Sequence, residues 1–144
     1  MLVKDVMNVR VVHVGLHSTL LEAAEKMMEH SVDTLLVMEN DQLHGIVGLR
    51  DLFTVPIPAH YGGKMLHHED EAHLLKIWVE TPVQNLMNEQ VLTVREDMDL
   101  LRALELMVNT GKHPLPVLRD GQVVGVISRM DITRALVGEH KTTV

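Results

Sequence analysis

Cysteine is absent from this 144-residue chain, which excludes disulfide frameworks, thiolate zinc sites and thiol nucleophiles together. Aromatic residues are nearly absent as well: Phe53, Tyr61 and Trp78 are the whole set. The core must therefore be aliphatic, built from Val, Leu, Ile, Ala and the ten Met. The helical spacing of Met27, Met28 and Met107 marks them as core filler rather than a functional surface. No stretch approaches the roughly 20 apolar residues of a membrane span, and no long apolar run follows Met1-Leu2-Val3-Lys4-Asp5 as it would in a signal peptide. A cytoplasmic protein without membrane contact is expected. Positive charge is scarce too, with 13 Lys and Arg against 20 Asp and Glu, a net charge of −7. Broad attraction to nucleic acid is thereby disfavoured. A local phosphate site stays open, because a helix terminus and one or two basic side chains act at short range.

What the chain does contain is a duplication. Shifted by 80 residues, positions 7–54 align without a gap on 87–134, and 14 of the 48 pairs are identical, where unrelated sequences of this composition give about 3. The identities include Met7/Met87, Asn8/Asn88, Val11/Val91, Leu20/Leu100, Ala23/Ala103, Gly45/Gly125 and Asp51/Asp131. Each copy reads as β-α-β-β-α, an α/β (α+β) arrangement. A short Val-rich strand (11–14; 91–94) precedes an amphipathic helix, with Leu20, Ala23, Ala24, Met27 and Met28 on one face and Leu100, Ala103, Leu104, Met107 and Val108 on its counterpart. Thr19 and Glu22 are placed as a capping box, and Gly111 as a helix stop. Two strands follow in each copy (35–38 and 43–47 in the first), joined by a tight turn, Glu39-Asn40-Asp41-Gln42 in the first copy and, as the stronger hairpin signal, Asp120-Gly121 in the second. A second helix closes each copy, ending near Gly138 in the second, and residues 139–144 read as a frayed tail. The sequence thus divides into motif 1 (1–54), an inter-motif loop and helix (55–80) and motif 2 (81–138). One such motif has a small core; two related by a pseudo-twofold axis can pack as one module, with clefts between them lined by equivalent turns.

The most informative turn is Gly125-Val126-Ile127-Ser128-Arg129-Met130-Asp131. Val123, Val124, Val126 and Ile127 read as a buried strand, Ser128 as an N-cap, and Ile132, Ala135 and Leu136 as the helix behind it. A helix N-terminus favours anions, and a carboxylate can accept hydrogen bonds from two vicinal hydroxyls, so a hydroxyl at Ser128 and a carboxylate at Asp131 suit a ribose and phosphate. The alternative is a capped helix in which both side chains only satisfy their own backbone.

Taken in order, Asp5-Val6-Met7, the Ala-rich helix, Leu115-Pro116-Val117 and the 125–131 turn resemble a tandem pair of cystathionine β-synthase (CBS) domains, a Bateman module. The resemblance covers 3–54 and 83–137. It implies adenine nucleotides or adenosyl ligands (AMP, ADP, ATP, S-adenosylmethionine or NAD) as regulatory ligands in clefts between the motifs, with no catalytic cofactor. It also implies a homodimer through helices. Carried over residue by residue, one cleft has Ser128, Arg129 and Asp131 at its ribose end, Lys112 and His113 toward phosphate, and Asn8, Val11, Val12 and Thr34 at the adenine end. Pro114 stands where an arginine is common. The second, weaker cleft keeps Asp51 and Arg50 with Asn88, Val91, Leu92 and a borrowed His113. However, Gly48 replaces the hydroxyl, Leu49 replaces the basic residue, and Asp33 opposes phosphate. The first cleft is favoured.

Residues 55–80 interrupt the duplication. Pro56-Ile57-Pro58 and Gly62-Gly63 mark a loop, and residues 69–79 suit a helix with Leu74, Leu75, Ile77 and Trp78 apolar. His67, His68, Glu69, Asp70, Glu71 and His73 are the densest group of metal-ligand types, yet an acidic helix start accounts for them and no H-E-x-x-H is present. No metal site is expected. There is no serine elbow and no Walker loop, so no enzyme is expected. The reading is a ligand-sensing regulatory module acting through an effector protein. A ligand-free dimerisation scaffold is the alternative, with a metal-dependent enzyme on the 67–73 cluster behind it.

Overall fold

The computed structural model describes residues 1–54 and 68–143. Among the described residues it is an α+β fold with four α-helices and two small mixed sheets, and the chain divides into two compact units. The division does not follow the repeat. One unit is the contiguous stretch Val12–Glu89; the other joins Met1–Val11 to Gln90–Val144. Each copy's leading segment therefore packs with the opposite copy.

In the contiguous unit, β1 (His13–Val14) lies parallel to β2 (Thr34–Glu39), which pairs antiparallel with β3 (Gln42–Gly48). Asn40 and Asp41 both have positive φ, 52° and 63°, as a two-residue hairpin turn with right-handed strand twist requires. Helix α1 (Leu20–His30) is capped by Thr19, whose Oγ1 accepts from the Glu22 N–H at 3.1 Å. The same hydroxyl donates to Glu22 Oε1 at 3.3 Å. The carboxylate thus turns to the hydroxyl rather than completing a capping box. The closing helix expected here is only a 3-10 turn, Leu49–Phe53. Its place is supplemented by α2 (His68–Glu80), which packs on α1. Trp78 Nε1 donates to the Leu52 carbonyl at 2.9 Å, and its ring meets Phe53 at 5.9 Å between centroids. Leu74, Ile77 and Trp78 lie against a core of Val14, Leu20, Leu35, Val37, Val47, Leu52 and Val83. The loop expected at 56–63 lies outside the described residues.

The second unit repeats the plan with β4 (Val94–Arg95), α3 (Leu100–Thr110), β5 (Leu115–Arg119), β6 (Gln122–Ile127) and α4 (Arg129–Thr143). Gly111, at φ 72°, stops α3 and donates to the Met107 carbonyl. Asp120 and Gly121, at 50° and 78°, turn the second hairpin. Strand β6 is not buried on both faces: Val123, Val124 and Val126 are half-buried and only Gly125 and Ile127 are fully enclosed. Both leading strands are shorter than the Val-rich runs 11–14 and 91–94 suggest. Val12 and Leu92 pack against their cores outside the strands, although the Val12 carbonyl accepts from the Leu36 N–H at 3.3 Å. Helix α4 runs through Gly138 to Thr143, five residues past the expected end.

The crossed segments are tied down identically. Val3 N–H donates to the Met98 carbonyl and Lys4 N–H to Glu96, while Asn8 and Val126 exchange backbone bonds at 2.8 and 2.9 Å. The repeat equivalents are Val83 to Ser18, Gln84 to Leu16, and Asn88 with Ile46. Val3 and Val83 are each wholly buried. Each strap thereby covers the open edge of a three-stranded sheet, satisfying backbone groups that would otherwise be left exposed.

Candidate functional site

The turn from β6 into α4 closes on itself. Ser128 N–H donates to Asp131 Oδ2 at 2.9 Å, and Asp131 N–H donates to Ser128 Oγ at 3.1 Å. This is a reciprocal cap of the kind expected where a hydroxyl and a carboxylate sit three residues apart. Asp131 Oδ1 accepts from Arg134 NH1 at 3.2 Å, with the Asp131 side chain 14% exposed. The cap-only reading of Ser128 and Asp131 thus describes bonds that are present. They do not exhaust the carboxylate, which offers about four acceptor positions. Arg134 was not among the residues singled out from sequence, although its i,i+3 spacing from Asp131 is the signal that locates it.

Asn8 reaches this unit through its backbone pairing with Val126, and its Oδ1 accepts from the Arg10 N–H at 2.9 Å. Lys112, just past the Gly111 stop, extends its Nζ to the Gln90 carbonyl at 2.9 Å. His113 is exposed at the mouth of β5, joined to Pro114 by a cis peptide bond. Arg129 is exposed on the first turn of α4. Of the residues assigned to the favoured cleft, Asn8, Val11, Lys112, His113, Ser128, Arg129 and Asp131 belong to one unit, whereas Val12 and Thr34 belong to the other.

The first-copy turn is a reduced version. Gly48 N–H donates to Asp51 Oδ2 at 2.7 Å, but no side chain returns a bond to the Asp51 N–H. Leu49 N–H donates to the Asp33 carbonyl at 2.7 Å, and Thr34 Oγ1 donates to Asp33 Oδ1 at 3.2 Å. Asp51, Arg50 and Asn88 share this unit; Val91 and Leu92 lie in the other.

Charge separates the units more sharply than the motifs do. Residues 12–89 carry twelve Asp and Glu against four Lys and Arg, a net of −8. The remaining residues carry eight acids against nine bases, a net of +1. The unit holding Ser128 and Asp131 is therefore the better host for an anion by simple electrostatics. The metal-ligand types at 67–73 lie partly outside the described residues, and among the described residues no group of three such side chains comes together. No helix among the described residues is long and apolar enough to cross a membrane.

The CBS domain profile matches residues 3–57 and 83–138, so the chain belongs to the CBS domain family as a tandem pair. The mitochondrial CBS domain-containing protein CBSX3 of Arabidopsis thaliana is 29% identical over 128 residues, covering 85% of this chain and 55% of that protein. The crystal structure of the CBS-pair protein CBSX2 of Arabidopsis thaliana superposes with a TM-score of 0.81 at 25% identity, covering 97% of this chain and 96% of that one. The CBS domain pair of protein MJ0100, in complex with 5′-methylthioadenosine and S-adenosyl-L-methionine, has a TM-score of 0.73 at 21% identity, with 96% and 98% covered. The chain spans about half to two-thirds of the length of the first curated relatives it matches.

Proposed function

We propose that this CBS pair is a regulatory, non-catalytic module that binds an adenine nucleotide or adenosyl ligand at the Ser128/Asp131 turn and transmits occupancy through association with other chains. The observation that carries the reading is the reciprocal cap itself. It fixes the Asp131 carboxylate beside the N-terminus of a fifteen-residue helix, where unsatisfied N–H groups favour phosphate. Lys112 and His113 at the start of β5 support a phosphate-bearing ligand over a neutral one, and the near-neutral charge of that unit opposes an anion less than the −8 of the other does. A ligand-bound relative of the same fold lends the adenosyl class its support. The Asp51 turn, without a hydroxyl and in a unit of net −8, is the weaker second site.

The module acts as a homodimer joined by helices in a cytoplasmic setting, and its output passes to an effector protein. A thermal-shift series with AMP, ADP, ATP, S-adenosylmethionine and NAD tests the ligand reading. A rise in melting temperature with one or more of the five is expected. No rise with any of them leaves the ligand-free scaffold, in which Ser128 and Asp131 serve only as a helix cap.

A further inference from the structure

We infer that Arg134 is the positioning residue of this turn: it fixes the Asp131 carboxylate so that one acceptor position on each oxygen is presented to the two vicinal hydroxyls of a ribose. The site then selects ribonucleosides over their deoxy counterparts. This rests on the ribose reading above and adds what presents the carboxylate and which sugar it takes.

Asp131 is gripped at both of its oxygens. Oδ2 accepts from the Ser128 N–H at 2.9 Å, and Oδ1 accepts from Arg134 Nη1 at 3.2 Å. A carboxylate offers about four acceptor positions, two on each oxygen, so each oxygen keeps one. Two vicinal hydroxyls need that arrangement, with one donor to each oxygen in bidentate fashion. The carboxyl torsion of an aspartate is broad and roughly two-fold. A carboxylate held at one oxygen alone can therefore turn the other away, and a bond on the far oxygen removes that freedom.

The two grips differ in origin. The Ser128 N–H belongs to the backbone and is itself steadied by the bond from the Asp131 N–H to Ser128 Oγ at 3.1 Å. The guanidinium comes from the next turn of α4, at the i,i+3 spacing where helical side chains meet. The Arg134 side chain is 70% exposed while that of Asp131 is only 14% exposed. An ion pair with so exposed a partner adds little to folding, so stability is a weak account of it.

The duplication supplies a copy without the second grip. The residue equivalent to Arg134 is Thr54, whose hydroxyl donates to the Asp51 carbonyl at 2.7 Å rather than to the carboxylate. Among the described residues, the Asp51 side chain accepts from the Gly48 N–H alone. The two turns thus differ in how firmly the carboxylate is held as well as in the serine hydroxyl.

The test compares ligands as well as variants. Titration calorimetry measures AMP and ATP, each beside its 2′-deoxy and 3′-deoxy counterparts, with the parent chain, Arg134→Ala and Arg134→Lys. The parent should prefer the ribonucleotide by about tenfold or more, as for one hydrogen bond to a charged group, and Arg134→Ala should reduce that preference to about threefold or less. Arg134→Lys keeps a cationic donor on the same turn and should restore most of it. All of these ligands carry phosphate, so a guanidinium that acted on phosphate, or only on folding, would change every affinity together and leave the preference intact. An unchanged preference in Arg134→Ala, or a lysine variant that behaves as the alanine one does, overturns the positioning role while keeping the ribose site. A parent chain that binds neither ribonucleotide, or binds the deoxy forms equally well, removes the ribose reading and this inference with it.

Discussion

The thioether of Met7 lies over the α-carbon of Gly125. A β-carbon at residue 125 would stand 2.9 Å from Met7 Sδ and 2.9 Å from the Asn8 carbonyl oxygen. Met87 and Asn88 crowd Gly45 in the same way, at 2.8 and 2.9 Å. Three of the repeat's identical pairs, Met7/Met87, Asn8/Asn88 and Gly45/Gly125, are thus the two sides of one contact made twice.

Gly125→Ala should destabilise the protein by roughly 1–3 kcal/mol, the usual cost of overpacking. The methionine can swing aside, but the Asn8 carbonyl is held by its bond from Val126. Urea denaturation measures the loss, and amide exchange should show it concentrated at residues 1–8 and at Val126. A loss spread evenly over both units would contradict the strap as its origin.

Asp131→Ala should weaken binding of whichever adenosyl ligand is found by about 1.5–3 kcal/mol, the range for a hydrogen bond to a charged group. Asp51→Ala should cost less. Titration calorimetry of both variants checks the asymmetry, which equal losses would remove. Asp131→Ala also loses the return bond from the Ser128 N–H, so affinity is compared at a temperature where both variants are fully folded.

Gly48→Ser asks whether the second turn can be repaired. A β-carbon there meets nothing nearer than the Asp33 carbonyl and Asp51 Oδ2, both at 3.7 Å, and the backbone is extended at φ −108°. The serine should raise stability by a few tenths of a kcal/mol, the difference between Ser and Gly as N-caps. In calorimetry it should strengthen a second binding event. A stoichiometry and affinity identical to the parent chain would show that the missing hydroxyl is not what limits the Asp51 turn.

Glu96 supplies a pH prediction. The hydrogen bonds from Arg119, at 2.7 and 2.8 Å, hold its carboxyl below the usual 4.5, and they hold the guanidinium above its own usual value. A carboxyl with a depressed folded pKa stabilises fully above its unfolded pKa, and that contribution is lost as pH falls through the folded value. Glu96→Gln should therefore lower the melting temperature near pH 7, and the gap to the parent chain should close below about pH 4.5. A gap that persists unchanged at pH 3 would show that the pair acts through packing rather than charge.

Much of this was legible in the residues. Thr19, Gly111 and the two positive-φ hairpin turns fall where capping and turn chemistry put them, because these are local preferences. The partner of each strap was not legible. The repeat aligns Met7 with Met87, but alignment says nothing about whether Met7 packs on Gly45 or Gly125. That choice rests on sheet edges remote in the chain. Nor was the short 3-10 turn after Gly48, since Leu49, Leu52 and Phe53 have the spacing of a longer helix and Trp78 takes up the Leu52 carbonyl. At the candidate site, the cap joining Ser128 and Asp131 was legible from their spacing, whereas the contact of Arg134 with Asp131 was not.

The crossed straps set an order of assembly during synthesis. Once Glu89 has been added, every residue of the contiguous unit is in the nascent chain. Met1–Val11 must still wait for β6, on the order of a hundred residues later, with Val3, Val6 and Met7 lacking the surface they are built to cover. Closing so long a loop costs only modestly more than closing a short one, about 0.6 kcal/mol per doubling, so the delay matters to timing more than to final stability. Trimming the chain from either end then injures the same unit, the one carrying Ser128 and Asp131, and spares the other.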